Sequence, residues 1–215
     1  MEIIPGILEK EWEAIEKKLE IVKPFAKTVH IDILDGKFAD NKTFLDPKPF
    51  AKYSSDFTFE LHMMVDDPIQ YLQPFADAGF TRFLGHTEKM PDIAAFVAKA
   101  QSLGEVGLAI DGPTALESLQ IPYQDIDCLL FMTITAGFSG QKFTKEHLEK
   151  VKKARAAAYI ADELREFPIE VDGGITDETI LEAKNAGATR CISTSFLFGG
   201  EDPKKRFEQL QHLVR

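Results

Sequence analysis

The chain has 215 residues, 44% hydrophobic and 28% charged, enough apolar surface for a large buried core and too much for a disordered chain. Its formal charge of -10 and pI near 5.0 argue against nucleic acid or an anionic membrane as partner. No run approaches the ~20 apolar residues of a spanning helix, and the opening MEIIPGILEKEWE lacks the basic and apolar stretches of a secretion signal.

Strand-like and helix-like patterns alternate from end to end. Strands are predicted at Ile3–Leu8, Thr28–Leu34, Thr58–Val65, Arg82–His86, Val106–Asp111, Cys128–Thr135, Ile169–Asp172 and Arg190–Ser195. Helices are predicted at Glu9–Val22, Ile69–Ala78, Ile93–Ser102, Lys145–Leu164, Asp177–Ala186 and Pro203–Leu213, with shorter segments near Pro47–Tyr53 and Thr114–Leu119. This alternation predicts an α/β fold with a parallel sheet, a single-domain (β/α)8 TIM barrel over residues 1–215. An open doubly wound sheet is the alternative, but no G-x-G-x-x-G follows the first strand. Cys128 and Cys191 fall in strands and read as buried small hydrophobes, not a disulfide, which suits a reducing cytosol.

His30 and Asp32 in TVHIDILDG, His62 in FTFELHMMV and Asp172 in PIEVDGG all stand near strand ends. Side chains alternate faces along a strand, so His30 and Asp32 share one side. Each residue alone also reads as a satisfied polar group. Together, two imidazoles and two carboxylates at matching depth predict a site for one divalent ion, Zn²⁺ or Fe²⁺ first, with Mn²⁺ or Co²⁺ acceptable. Barrel active sites lie at the C-terminal strand ends, where all four fall. Glu60 and Glu170 sit one step deeper, as partners that orient ligands or as an interior ion pair. His86 is expected near the pocket, His147 and His212 on helix surfaces, and Trp12 in packing.

With these motifs in hand, the chain resembles the ribulose-phosphate 3-epimerase family. The likeness rests on His30, Asp32, Asp35, Gly36 and Phe38 in strand two, followed by Asn41, and on His62, Met63 and Met64 with Asp67 and Pro68 in strand three. Strand six matches at Met132, Thr133, Gly137, Phe138, Gly140, Gln141 and Phe143, and strand seven at Glu170 to Gly174. The resemblance implies a ribulose-phosphate-binding barrel whose metal is bound by His30, Asp32, His62 and Asp172, with Asp32 and Asp172 doubling as catalytic acid and base. The implied reaction is epimerisation at C3 of a ketose phosphate, D-ribulose 5-phosphate to D-xylulose 5-phosphate, through a metal-stabilised enediolate. That would make the chain a cytoplasmic isomerase of carbohydrate metabolism, in the pentose phosphate pathway, acting on a small phosphorylated sugar. A homo-oligomer is expected, with no nucleic acid or membrane partner.

Met64 and Met132 would line the pocket beside His62, or else serve as ordinary core filling. Gly137, Phe138, Ser139, Gly140, Gly173 and Gly174 would present backbone amides to phosphate, with Thr194 and Ser195 taking the matching place in strand eight. Several positions depart from the family pattern. Gly6 stands where serine is usual and loses a hydroxyl expected to contact substrate; Thr194 stands where glycine is expected. Leu34, Ala136, Ser139 and Asp111 are milder changes. A hexulose-phosphate 3-epimerase of the allulose 6-phosphate type and a non-catalytic sugar-phosphate-binding relative are the alternatives. Decarboxylases and aldol-type synthases of the same barrel are disfavoured, because their D-x-K-x-x-D reads His30, Asp32 and Asp35 here and lacks the lysine.

Overall fold

The structure, a computed structural model, describes residues 1–119, 121–160 and 166–215. Eight strands run β1 (Glu2–Ile7), β2 (Thr28–Leu34), β3 (Thr58–Met64), β4 (Phe80–His86), β5 (Glu105–Ile110), β6 (Cys128–Met132), β7 (Ile169–Asp172) and β8 (Arg190–Ser193). Helices follow at α1 (Trp12–Val22), α2 (Ile69–Asp77), α3 (Ile93–Gln101), α4 (Leu148–Ile160), α5 (Ile180–Ala186), α6 (Ser195–Phe198) and α7 (Pro203–Leu213). Every neighbouring pair of strands is parallel, and β1 closes on β8 through the partners Glu2 and Arg190 to Pro5 and Ser193. The sheet is therefore the expected closed barrel.

Period-two alternation splits the barrel's apolar residues into two cores. Outward residues such as Ile31, Ile33, Leu61, Met63, Val171 and Cys191 pack under the helices. Inward residues, among them Ile4, Leu34, Met64, Leu84, Ala109, Leu130, Met132 and Ile192, fill the lumen. Below that layer the lumen is ionic: Arg190 Nη1 donates to Glu170 Oε1 at 2.7 Å, and Arg82 Nε to Glu105 Oε2 at 2.6 Å. Cys128 and Cys191 are buried free thiols, as expected.

Boundaries moved where partners ran out. β6 stops at Met132 rather than Thr135 because its neighbour β7 ends at Asp172, and two glycines with positive φ turn the chain away. β8 ends at Ser193, opposite Pro5, and Ser195 already opens α6. The predicted helix Lys145–Leu164 begins as a 3-10 turn, Lys145–His147, and continues as α4; residues 161–164 lie outside the described ones. His147, expected on a surface, is half-buried against Gly112. His212 is exposed. The segments at Lys48–Tyr53 and Leu116–Ser118 are 3-10 turns. Among the described residues no helix is long and apolar enough to cross a membrane.

Phe50, fully buried, anchors an aromatic cluster between sheet and helices, with ring centroids 5.0 Å from Trp12, 5.2 Å from Phe80 and 5.6 Å from Phe59. Truncating it leaves a large void with little freedom to collapse. Phe50→Ala is expected to cost about 3–5 kcal/mol, read as a lower urea midpoint with an unchanged slope.

Candidate active site

The β2–β3 register brings the cluster together first. Asp32 is the lateral partner of His62, and His30 that of Glu60, so the two histidines point into the lumen with ring centroids 4.9 Å apart. Asp172 ends β7, and barrel closure presents it to the same spot. One donor atom each from His30, Asp32, His62 and Asp172 lies within 4.8 Å of the others, and all four residues are buried. His30 Nε2 stands 3.3 Å from Asp32 Oδ1; His62 Nδ1 stands 2.8 Å from Asp32 Oδ1 and 3.8 Å from Asp172 Oδ2. Donors about 3.3 Å apart are what a tetrahedral site with bonds near 2.0–2.1 Å requires. His30 Nε2 is fully buried without a hydrogen-bond partner, as a ligand nitrogen would be. The donor set therefore fits a divalent ion.

Glu60 resolves one of the two interior carboxylates. Its Oε1 sits 2.6 Å from His30 Nδ1, fixing that ring and leaving Nε2 to face Asp32, while Oε2 reaches Arg82 Nη1 at 3.5 Å. Glu170 instead pairs with Arg190. Burial, with Glu60 nearby, pushes Glu170 up to about 8. His86 is buried beside the site, stacked 4.9 Å from the His62 ring and hydrogen-bonded to Glu88 at 2.9 Å.

Above the cluster lies a pocket that opens at the barrel mouth. Its walls include Asp32, Met64, Met132, Gly137, Phe138, Ser139, Gly140, Asp172, Gly173, Gly174, Thr194 and Ser195, twelve of the expected residues. His30 and His62 form the floor beneath it, with no exposed surface. Gly6 is not on the wall; Ile192 and Thr194 stand over it. Leu8, Ile134, Ile175 and Ile192 also line the pocket. The sequence reading passed over these four because isolated aliphatic residues at strand ends look like any core residue.

Loop geometry explains the polar part of the motifs. Asp35 is a brace: its carboxylate accepts from the backbone of Lys37, Phe38 and Asp66 and ties together the loops after β2 and β3. Asn41 Nδ2 donates to the Gly137 carbonyl at 2.8 Å, strapping the loop after β6 to the β2 side. Asp111 Oδ1 accepts from the Ala136 amide at 2.9 Å, a structural task an asparagine oxygen would also perform. Gly173 and Gly174 adopt φ of 112° and 65°, and a Cβ on Gly174 would lie 2.8 Å from the Phe143 nitrogen, so a side chain there is both strained and blocked.

The charges of the cluster are unequal. Burial would raise Asp32, but the imidazoles of His30 and His62 outweigh it and hold the carboxyl low. Burial, reinforced by the Asp32 charge, pushes Asp172 up to about 7. Burial opposes a charge on His30, yet Asp32 and Glu60 prevail and lift it, whereas burial takes His62 down to about 4.

The chain matches the profile of the ribulose-phosphate 3 epimerase family over residues 2–198. It belongs to that family. The ribulose-phosphate 3-epimerase of Bacillus subtilis (strain 168) is 29% identical over 217 residues, covering 98% of each chain. The ribulose-phosphate 3-epimerase of Mycobacterium tuberculosis (strain ATCC 25618 / H37Rv) is 32% identical over 207 residues, 94% of this chain and 87% of that one. In fold, the chain is similar to 3-hexulose-6-phosphate synthase from Salmonella typhimurium, with a TM-score of 0.74 at 16% identity and coverage of 100% and 98%. The chain is thus an isomerase of the ribulose-phosphate 3-epimerase type.

The raised Asp172 value makes a stability prediction for metal-free protein. Folding holds a proton that the unfolded chain releases between about pH 4 and 7. This group therefore costs the native state nothing below that window, and the cost grows as pH rises through it. Asp172→Asn removes the cost. Without metal, the variant is expected to match the parent near pH 4 and exceed its stability by roughly a few kcal/mol at pH 8, measured by denaturant titration at both pH values.

Proposed function

We propose that the protein interconverts D-ribulose 5-phosphate and D-xylulose 5-phosphate, with Asp32 and Asp172 moving the proton at C3. The observation that carries this reading is two carboxylates from different strands on the wall of one pocket, directly above two buried histidines. Inversion of a carbon beside a ketone needs a proton taken from one face and another delivered to the opposite face, which two positioned carboxyl groups can do alternately as base and acid. His30, Asp32, His62 and Asp172 would hold one divalent ion. When bound, it would supply Lewis-acid stabilisation of negative charge developing on the substrate oxygens. Met64, Met132, Ile134 and Leu8 keep water from the reacting carbon. Gly137 to Gly140, with Gly173 and Gly174, line the same pocket, where their backbone amides would receive the phosphate and supply locally the positive potential that a chain of net charge -10 lacks overall.

Turnover of D-ribulose 5-phosphate by metal-supplemented enzyme, with deuterium entering C3 in D2O, is the expected result. Asp32→Asn and Asp172→Asn should each lower kcat by about 10²–10⁴-fold. If both variants keep a rate near that of the parent, the proton-transfer assignment is wrong. No turnover of either pentulose phosphate by metal-loaded parent enzyme would overturn the reading as a whole.

Metal binding should also be linked to pH. A cation displaces the protons that Asp172, pushed up to about 7, and the lifted His30 hold in the metal-free protein. Zn²⁺ affinity is expected to rise with pH by roughly tenfold per unit for each proton displaced, then level off above the highest of these values. Calorimetric titration of chelator-treated protein between pH 5.5 and 8 checks this; a pH-independent affinity would contradict it.

A further inference from the structure

At the barrel mouth, inward-facing end positions carry side chains on strand after strand: Asp32 and Leu34 on β2, Met64 on β3, Met132 on β6 and Asp172 on β7. After β1, Leu8 reaches the pocket wall, but the inward position one alternation deeper carries no side chain. Gly6 stands there, beside His30 as its register partner. The space is filled from the neighbouring strand instead. A Cβ placed on Gly6 would overlap Oγ1 of Thr194 and stand 2.7 Å from Cγ2 of Ile192. Thr194 reaches this spot because Pro5 and Ser193 are partners in the closing ladder, so residues 6 and 194 emerge side by side.

The Thr194 hydroxyl has no task within the fold. It does not cap α6, and it makes no hydrogen bond to any other described residue. Yet Thr194 is half-buried and lines the pocket, with apolar Leu8 and Ile192 also on the wall. A sugar hydroxyl pressed against Leu8 and Ile192 would lose its water, and the Thr194 hydroxyl on the same wall can replace it. Leaving such a group unpaired is costly, so this contact can discriminate between substrates.

Building on the ketose-phosphate reading, we propose that Thr194 supplies from β8 a hydroxyl contact to the sugar chain, and that Gly6 is bare because Thr194 occupies its side-chain space. The hydroxyl leans toward Gly6 on β1, the strand that pairs with His30, and is assigned to the sugar and not its phosphate.

Three variants test this: Thr194→Val, which keeps the shape and removes the hydroxyl; Gly6→Ser; and Gly6→Ser combined with Thr194→Gly. Thr194→Val should lower kcat/KM for D-ribulose 5-phosphate by about tenfold while melting temperature and inhibition by inorganic phosphate stay at parent values. Gly6→Ser alone should lower both melting temperature and activity, and the double variant should recover most of each. Parent-like kcat/KM in Thr194→Val overturns the contact. Phosphate inhibition weakened in step with KM overturns its assignment to the sugar. A double variant no more stable than Gly6→Ser overturns the exchange. Should the parent fail to turn over ketose phosphates, the functional reading fails separately. The melting temperatures still decide the exchange, and calorimetric binding of D-ribulose 5-phosphate to parent and Thr194→Val still decides the contact.

Discussion

In an open eight-stranded sheet of this order, Asp32 on β2 and Asp172 on β7 would lie five strands apart, about 24 Å at the spacing of hydrogen-bonded strands. The ladder between β1 and β8 removes that separation. Closure turns two carboxylates that are distant along the sheet into near neighbours with His62 between them. The same closure takes both from water, which is why their proton affinities diverge: Asp32 sits among imidazoles, whereas Asp172 faces an existing negative charge. Site chemistry and barrel topology are thus one constraint, enforced by four pairs of facing residues in short strands.

The parts of this arrangement governed by local periodicity were readable from the sequence. Alternation fixes which way His30, Asp32 and His62 point once a strand is recognised, and a barrel has only one end at which they can gather. The strand-seven aspartate followed by two glycines was equally plain, because a chain that must turn sharply beside a strand end needs residues free of a Cβ. Strand ends were misjudged at Thr135 and Ser195, since a strand lasts only as long as its neighbour and neighbours are not local information. The aliphatic wall of Leu8, Ile134, Ile175 and Ile192 was invisible for a related reason: nothing in an isoleucine distinguishes a pocket lining from a core.

Long-range compensation was also beyond the sequence. Gly6 and Thr194 read as two separate losses when taken one at a time along 187 intervening positions. In the barrel they touch, and the second fills what the first leaves vacant. Likewise Glu60 and Glu170 look equivalent on paper, each one alternation below a cluster residue. Their neighbours separate them, because β3 sets Glu60 beside His30 and Arg82 while β8 sets Arg190 beside Glu170.

The contacts of Glu60 connect the two ends of the barrel lumen. Arg82 holds Glu105, which is half open to solvent at the N-terminal rim, and touches Glu60, which in turn grips His30. Three charged contacts thus run from solvent at the base to the floor of the pocket, alongside the Arg190–Glu170 pair, and join a rim carboxylate to a buried imidazole through side chains alone.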